Sequence, residues 1–418
     1  MIRSFLVAPL ALATVYFVGA PALQKAPPPK PEPPVVEQPL LDGRRPLPLP
    51  GYLTQSLRYL AEAQFENGGW GAGSHARQDV RDPHAVQTDP ATTAFAATAL
   101  LRAGSTHREG PYARNVRRAL EHLLDLVEDT PANADRLTSL EGTQPQVKLG
   151  RNIDASMTAQ FFTAVLPHTR NDRALRRRIE RALDRCLGMI QRTQAADGSW
   201  NDGGWAPVLQ SSMANTALER AAEAGRPVDR DVLARSRAYQ GGNVSAEPGA
   251  APSVDASAGA GVALYSATSA QRATAPEARR ALEAVREAQE RGDLDEDDGV
   301  TAENLGRIGF DREEAEALAD AYEQNRASTA VLADDAVWTG FGNNGGEEFL
   351  SYLQTSESLV IGGDEDAWAR WHARLSNQFG SIQNGDGSWS GHHCITSPVF
   401  CTAAVILALA ADRDPALS

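Results

Sequence analysis

The sequence predicts an all-α protein, and within that class an α/α toroid of about six outer and inner helix pairs. Two observations predict it. Helices of two kinds alternate from Gly51 onward, and a tryptophan-bearing turn recurs between them. Apolar residues hardly alternate with polar ones over several positions, so strand signals are nearly lacking.

The first kind of helix is amphipathic and rich in Arg and Glu: 52–65, 112–127, 172–193, 276–290 and 366–381. One apolar stripe on each means one wet face. The second kind is small-residue-rich and nearly uncharged: 92–103, 153–166, 254–267 and 399–410, with 211–224 a more polar member. A helix apolar on every side must be buried. Half-wet helices alternating with buried ones give two concentric layers, and stacked pairs can close into a ring.

The turn has the form Gln-x-x-x-Gly-x-Trp. It occurs as Gln64 to Trp70, Gln194 to Trp200 and Gln383 to Trp389, with a large apolar residue (Leu60, Ile190, Phe379) four positions before each Gln. The repeating unit is therefore helix, turn, helix. Acids stand at the starts of inner helices: Asp89 before Pro90, Asp154 before Ser156, Asp255 before Ser257. They read as caps that accept hydrogen bonds from free amides. The alternative is a rim where several acids converge.

Ahead of Gly51 the composition changes. Residues 1–25 include an apolar run, Phe5 to Ala22, ending in Ala20-Pro21-Ala22, which fits a signal peptide or a membrane anchor through residues 5–22. Residues 26–50, with APPPKPEPP and RRPLPLP, fit an extended proline-rich linker. The expected location is exported, periplasmic or membrane-anchored. The toroid is expected over 51–413, with an acidic insertion at 291–327 holding two short helical stretches. A net charge of −14 without a concentrated basic surface excludes nucleic acid as a partner.

Within the insertion, Asp293, Asp295 and Asp297 have the 1, 3, 5 spacing of a calcium loop, although Asp298 stands where that loop needs Gly and Asn304 where it needs Glu. The solvated acidic loop is the alternative. Of the three cysteines, Cys186 falls on an apolar stripe with Ile179, Leu183 and Ile190 and reads as a small buried hydrophobe.

The repeated turn and its alanine-rich partner helices resemble the QW repeats of squalene and hopene cyclases and the related repeats of protein prenyltransferase β subunits. The resemblance covers most of residues 51–411. It implies the toroid, and it implies that Gln64 and Trp70, Gln194 and Trp200, and Gln383 and Trp389 stack as structural clamps between an outer helix and the next inner one. It also implies an apolar ligand, isoprenoid or lipid-like, in a central cavity.

Catalytic residues carry over at few positions. Asp295-Glu296-Asp297-Asp298 has the letters of the class II cyclase Asp-x-Asp-Asp acid, but acidic neighbours make its surroundings wet. The segment from Trp389 to Ala404 resembles the end of prenyltransferase β subunits, where a zinc-binding His precedes an inner helix. That makes His392, His393, Cys394 and Cys401 candidate zinc ligands. The family's Asp-x-Cys pair has no counterpart here. A Cys394–Cys401 disulfide and passive packing are the alternatives.

Four residues are catalytic candidates: His392, His393 and the pair Glu347 and Glu348. The two glutamates follow a Gly-rich loop and suit a general acid and base if one is buried enough to hold its proton. Helix-dipole preference alone also puts acids there. The expected function is an enzyme or binding protein for an isoprenoid or lipid-like ligand, and the rival is a non-catalytic envelope scaffold.

Overall fold

A computed structural model describes residues 46–201, 203–246, 251–341 and 345–417. They belong to a unit spanning Val35–Ser418. The expected signal or anchor at 1–25, and the linker up to residue 45, lie outside the described residues. Among the described residues no helix is long and apolar enough to cross a membrane.

The described residues are all-α apart from one two-stranded ladder and an isolated bridge between Ser74 and Thr143. In order it forms α1 (Leu53–Glu62), α2 (Pro90–Arg102), α3 (Ala113–Asp129), α4 (Gln144–Leu149), α5 (Ile153–Val165), α6 (Arg173–Arg192) and α7 (Pro207–Glu223). Then come α8 (Arg230–Gly241), β1 (Val244–Ser245), β2 (Ser253–Val254), α9 (Ala263–Arg291), α10 (Ala302–Arg307), α11 (Arg312–Leu332), α12 (Asp335–Trp338), α13 (Gly346–Gly362), α14 (Glu365–Ser381) and α15 (Pro398–Leu409). β1 and β2 pair antiparallel.

The expected division of labour appears in burial. Only Leu101 among the residues of α2 escapes full burial, and α15 is buried from end to end, while α3 and α6 bury a single stripe. The buried helices follow one another as neighbours: α2 packs on α5, α5 on α7, α7 on α9, α9 on α13, α13 on α15, and α15 on α2.

Each Trp turn ties three helices together by the same bonds. The indole N–H of Trp70, Trp200 and Trp389 donates to the carbonyl of Leu60, Ile190 and Phe379, at 2.8, 2.8 and 2.9 Å. The backbone N–H of each Trp donates to a hydroxyl on the following buried helix: Thr93, Ser211 and Thr402. Each Gln amide donates back to the turn's own Gly carbonyl and across to the first turn of another amphipathic helix, at Asn115 O, Val232 O and Ser56 Oγ. The clamps therefore act through hydrogen bonds of the Gln amide and the indole. The Gly is required: Gly68, Gly198 and Gly387 have φ of 89°, 88° and 87°, and a Cβ at Gly68 would lie 2.4 Å from the Arg118 carbonyl oxygen.

Three expectations are corrected. The segments 254–267 and 276–290 are not an inner and an outer helix but one, α9, which begins at Ala263 and continues through Pro276. Residues 257–262 cannot join it, because Ala260 and Gly261 take left-handed backbone (φ 55° and 86°). Of the two short helical stretches expected within 291–327, the second is not short, since α11 runs on to Leu332 and packs along α9. The third correction concerns α13, a buried helix that charge-free patterning passes over because it carries Glu347, Glu348, Gln354 and Glu357.

Candidate functional site

The first turn of α13 gathers the densest set of reactive groups. Gly345 caps the helix, and a Cβ on Gly346 would lie 2.6 Å from that of Ile395, so only glycine lets the 391–396 loop lie against this start. Gly346 N–H donates to Ile395 O at 3.1 Å. That contact brings Glu347, Glu348, His393 and Cys394 into one place.

The two glutamates are both 0% exposed but differ in partners. Glu348 accepts from Tyr265 Oη at 2.7 Å, Phe341 N at 3.1 Å and Gly345 N at 2.9 Å. It is a satisfied capping carboxylate. Glu347 accepts a long bond from Ile395 N, 3.4 Å, on Oε2 and has the Cys394 thiol within reach, while its Oε1 has no close partner. Burial, and then the Glu348 charge, pushes the Glu347 carboxyl up to about 7, with Lys148 and the Cys394 thiol beside it pulling the other way. A carboxyl that gains and loses a proton near neutrality is suited to acid–base work.

Around this acid lie groups that reach the surface. Cys394 is half-buried with φ 61°, and burial, then Glu347, pushes its thiol up to about 11. The Lys148 ammonium stands 4.6 Å over the ring of Trp205. Trp205 and Phe341 are the exposed large hydrophobic residues of the described chain, and they meet edge to face at 6.3 Å and 89°. His393 lies 5.1 Å from Phe341, with both ring nitrogens unpartnered and Nε2 3.9 Å from Glu348, too long for a hydrogen bond.

Of the residues singled out by sequence, Glu347, Glu348, His393 and Cys394 come together here. His392 is exposed and lines a separate hollow of about 310 Å³ with Arg81 and Asn384. Cys401 is fully buried, with its thiol 3.6 Å from Ile395 O. All three cysteines are free, so the Cys394–Cys401 disulfide is not formed, and Cys186 is the buried hydrophobe its helix stripe predicts. Among the described residues no group of three or more His, Cys, Asp or Glu is placed to hold a metal. In the acidic loop, Asp293 pairs with Arg291, and the Gln289 amide donates to the carbonyls of Asp295, Glu296 and Asp298, filling the loop with a side chain.

The helix-start acids do not form a rim of free carboxylates. Asp89 caps α2 by accepting from Thr92 N and also holds Ala72 N. Asp154 sits inside the first turn of α5 and bonds Ala91 N and Gln146. Asp255 caps a short turn before α9 through Ser257 N.

Residues of α2, α5, α7, α13 and α15 line one small cavity. It measures about 20 Å³, and Arg102 and Glu357 are in its wall. Below it a fully buried ionic cluster joins Arg102, Arg220 and Arg272 to Glu357, Asp414 and Glu219 at 2.6–3.0 Å.

Sequence reasoning missed Lys148, Trp205, Tyr265 and Phe341 at the first site, and the whole ionic cluster. One signal was available: Lys148 is the only lysine after Lys30 in a chain that otherwise uses arginine. The cluster has no such signal, since its members come from α2, α7, α9, α13 and the segment after α15, far apart in sequence.

No family model matches the chain, and no curated protein matches it either.

Proposed function

We propose that the described residues form an α/α toroid of the build that the QW resemblance implies, and that it binds a lipid- or isoprenoid-like ligand at one rim. Support for the toroid comes from the succession of buried helices, which returns from α15 to α2, and from three identical Trp clamps. The ligand is assigned to the rim because a 20 Å³ cavity holds no isoprenoid chain. The observation that carries the reading is Glu347: a buried acid with a pKa of about 7 and an unpartnered oxygen, next to the exposed Trp205–Phe341 pair. In this reading the aromatics hold the apolar part of the ligand, and the half-buried Cys394 and His393 beside Glu347 receive its polar end.

The filled centre favours a second reading, a toroid that serves as a scaffold with no ligand. One experiment separates the two. Mass spectrometry of lipids retained by the natively purified full chain, followed by titration with farnesol, should find an apolar ligand that the Trp205→Ala/Phe341→Ala double variant loses. Failure of farnesol and of any co-purifying lipid to bind the wild type would remove the ligand reading and leave the scaffold.

A further inference from the structure

The cavity between α2, α5, α7, α13 and α15 has a wall of unusual chemistry. Its volume, about 20 Å³, suits one occupant of roughly the size of a water molecule. Three hydrogen-bond donors among the lining residues have no partner: Nε of Arg102, Nε2 of Gln354 and the hydroxyl of Thr216. These residues are 7%, 1% and 2% exposed, so bulk water does not satisfy them.

The carboxylates nearby are already engaged. Glu357 accepts Arg102 and Arg220 on Oε1 and Arg272 on Oε2. Asp414 accepts Arg102 and Arg220 on Oδ2 and Ala416 N on Oδ1. The cavity is left with a surplus of donors, two of which, the guanidinium and amide N–H groups, cannot accept at all.

We propose that this cavity is a binding site for one small monovalent anion, of the chloride class, held by Arg102, Gln354 and Thr216. A halide accepts from all three donors at once, and the guanidinium contributes a charge-assisted bond. A water molecule accepts from only two and must still place two protons of its own. Because the donors come from α2, α13 and α7, the ion braces three of the buried helices against one another.

The test compares thermal unfolding of the full chain in sodium chloride and in sodium gluconate at equal ionic strength, gluconate being too large for the cavity. Chloride should raise Tm saturably, as binding to the native state alone requires, and bromide should replace it. Crystals soaked in sodium bromide should show an anomalous peak between the three donors. Thr216→Val and Gln354→Leu should each weaken the apparent chloride affinity at least tenfold. The readout is the difference between salts, so a lower basal Tm does not obscure it, and the bromide crystal decides should a variant not fold. Equal Tm in the two salts, or a cavity holding only water at saturating bromide, overturns the proposal.

Discussion

The indole nitrogen of Trp389 donates to the backbone carbonyl of Phe379, ten residues earlier and 2.9 Å away, and both side chains are fully buried. That carbonyl lies in the last turn of α14, where helical carbonyls run out of intrahelical donors. The C-cap amide of Ile382 donates to the same carbonyl at 3.2 Å, and the tryptophan adds a second donor and fills the junction with one large side chain. Trp389→Phe keeps much of the packing and the Ile382 bond but removes the buried indole bond and part of the side-chain volume. A loss of ~2–4 kcal/mol is expected, read from urea unfolding midpoints. A change within experimental error would mean that the indole bond contributes nothing.

The turn glycines separate backbone strain from collision. Gly104 has φ 101° with nothing within 4 Å of a built Cβ, whereas Gly387 has φ 87° and its Cβ would meet Gln55 at 2.5 Å. Gly104→Ala should cost ~1–2 kcal/mol from the left-handed backbone alone. Gly387→Ala should cost clearly more, since Gln55 and α1 must also shift. Equal losses in calorimetry would contradict the close approach.

Acid should unfold the protein through its buried cluster. Burial alone would raise the Glu357 carboxyl, but Arg220, Arg102 and Arg272 overcome it and hold it at about 2, below its ordinary 4.5. A depressed carboxyl contributes stability that is complete above 4.5 and is lost as pH falls towards 2. Glu357→Gln should cost ~3–5 kcal/mol at pH 7, because three guanidiniums lose their shared carboxylate. It should also flatten the acid limb of a stability–pH curve, and an unchanged acid limb would contradict the assignment.

Glu347 should act in the opposite sense. Its carboxyl is raised to about 7 from 4.5, so folding favours the protonated form. The stabilisation from that proton is complete below 4.5 and disappears as pH rises through 7. Glu347→Gln, a neutral isostere, should leave stability at pH 5 nearly unchanged and raise it at pH 8. Carbon-13 NMR of the labelled carboxyl gives the midpoint directly, and a value near 4.5 would end its role as an acid near neutrality.

What the sequence determined by itself was local: most helix types, most of the expected helix bounds within a few residues, the Trp turns and the cap at Asp89. These depend on periodicity and short-range bonds, as Gln64, Gly68 and Trp70 illustrate within seven residues. Glu347 and His393 were also legible as reactive types in loops and helix starts, though not as neighbours. Only the tertiary structure decided that α13 is buried despite its acids, that Lys148, stacked over Trp205, acts on Glu347, and that Arg102, Arg220 and Arg272 gather around the buried Glu357. A buried charge is tolerable only with partners, and partners on α2, α7, α9 and α13 meet only after the helices have packed.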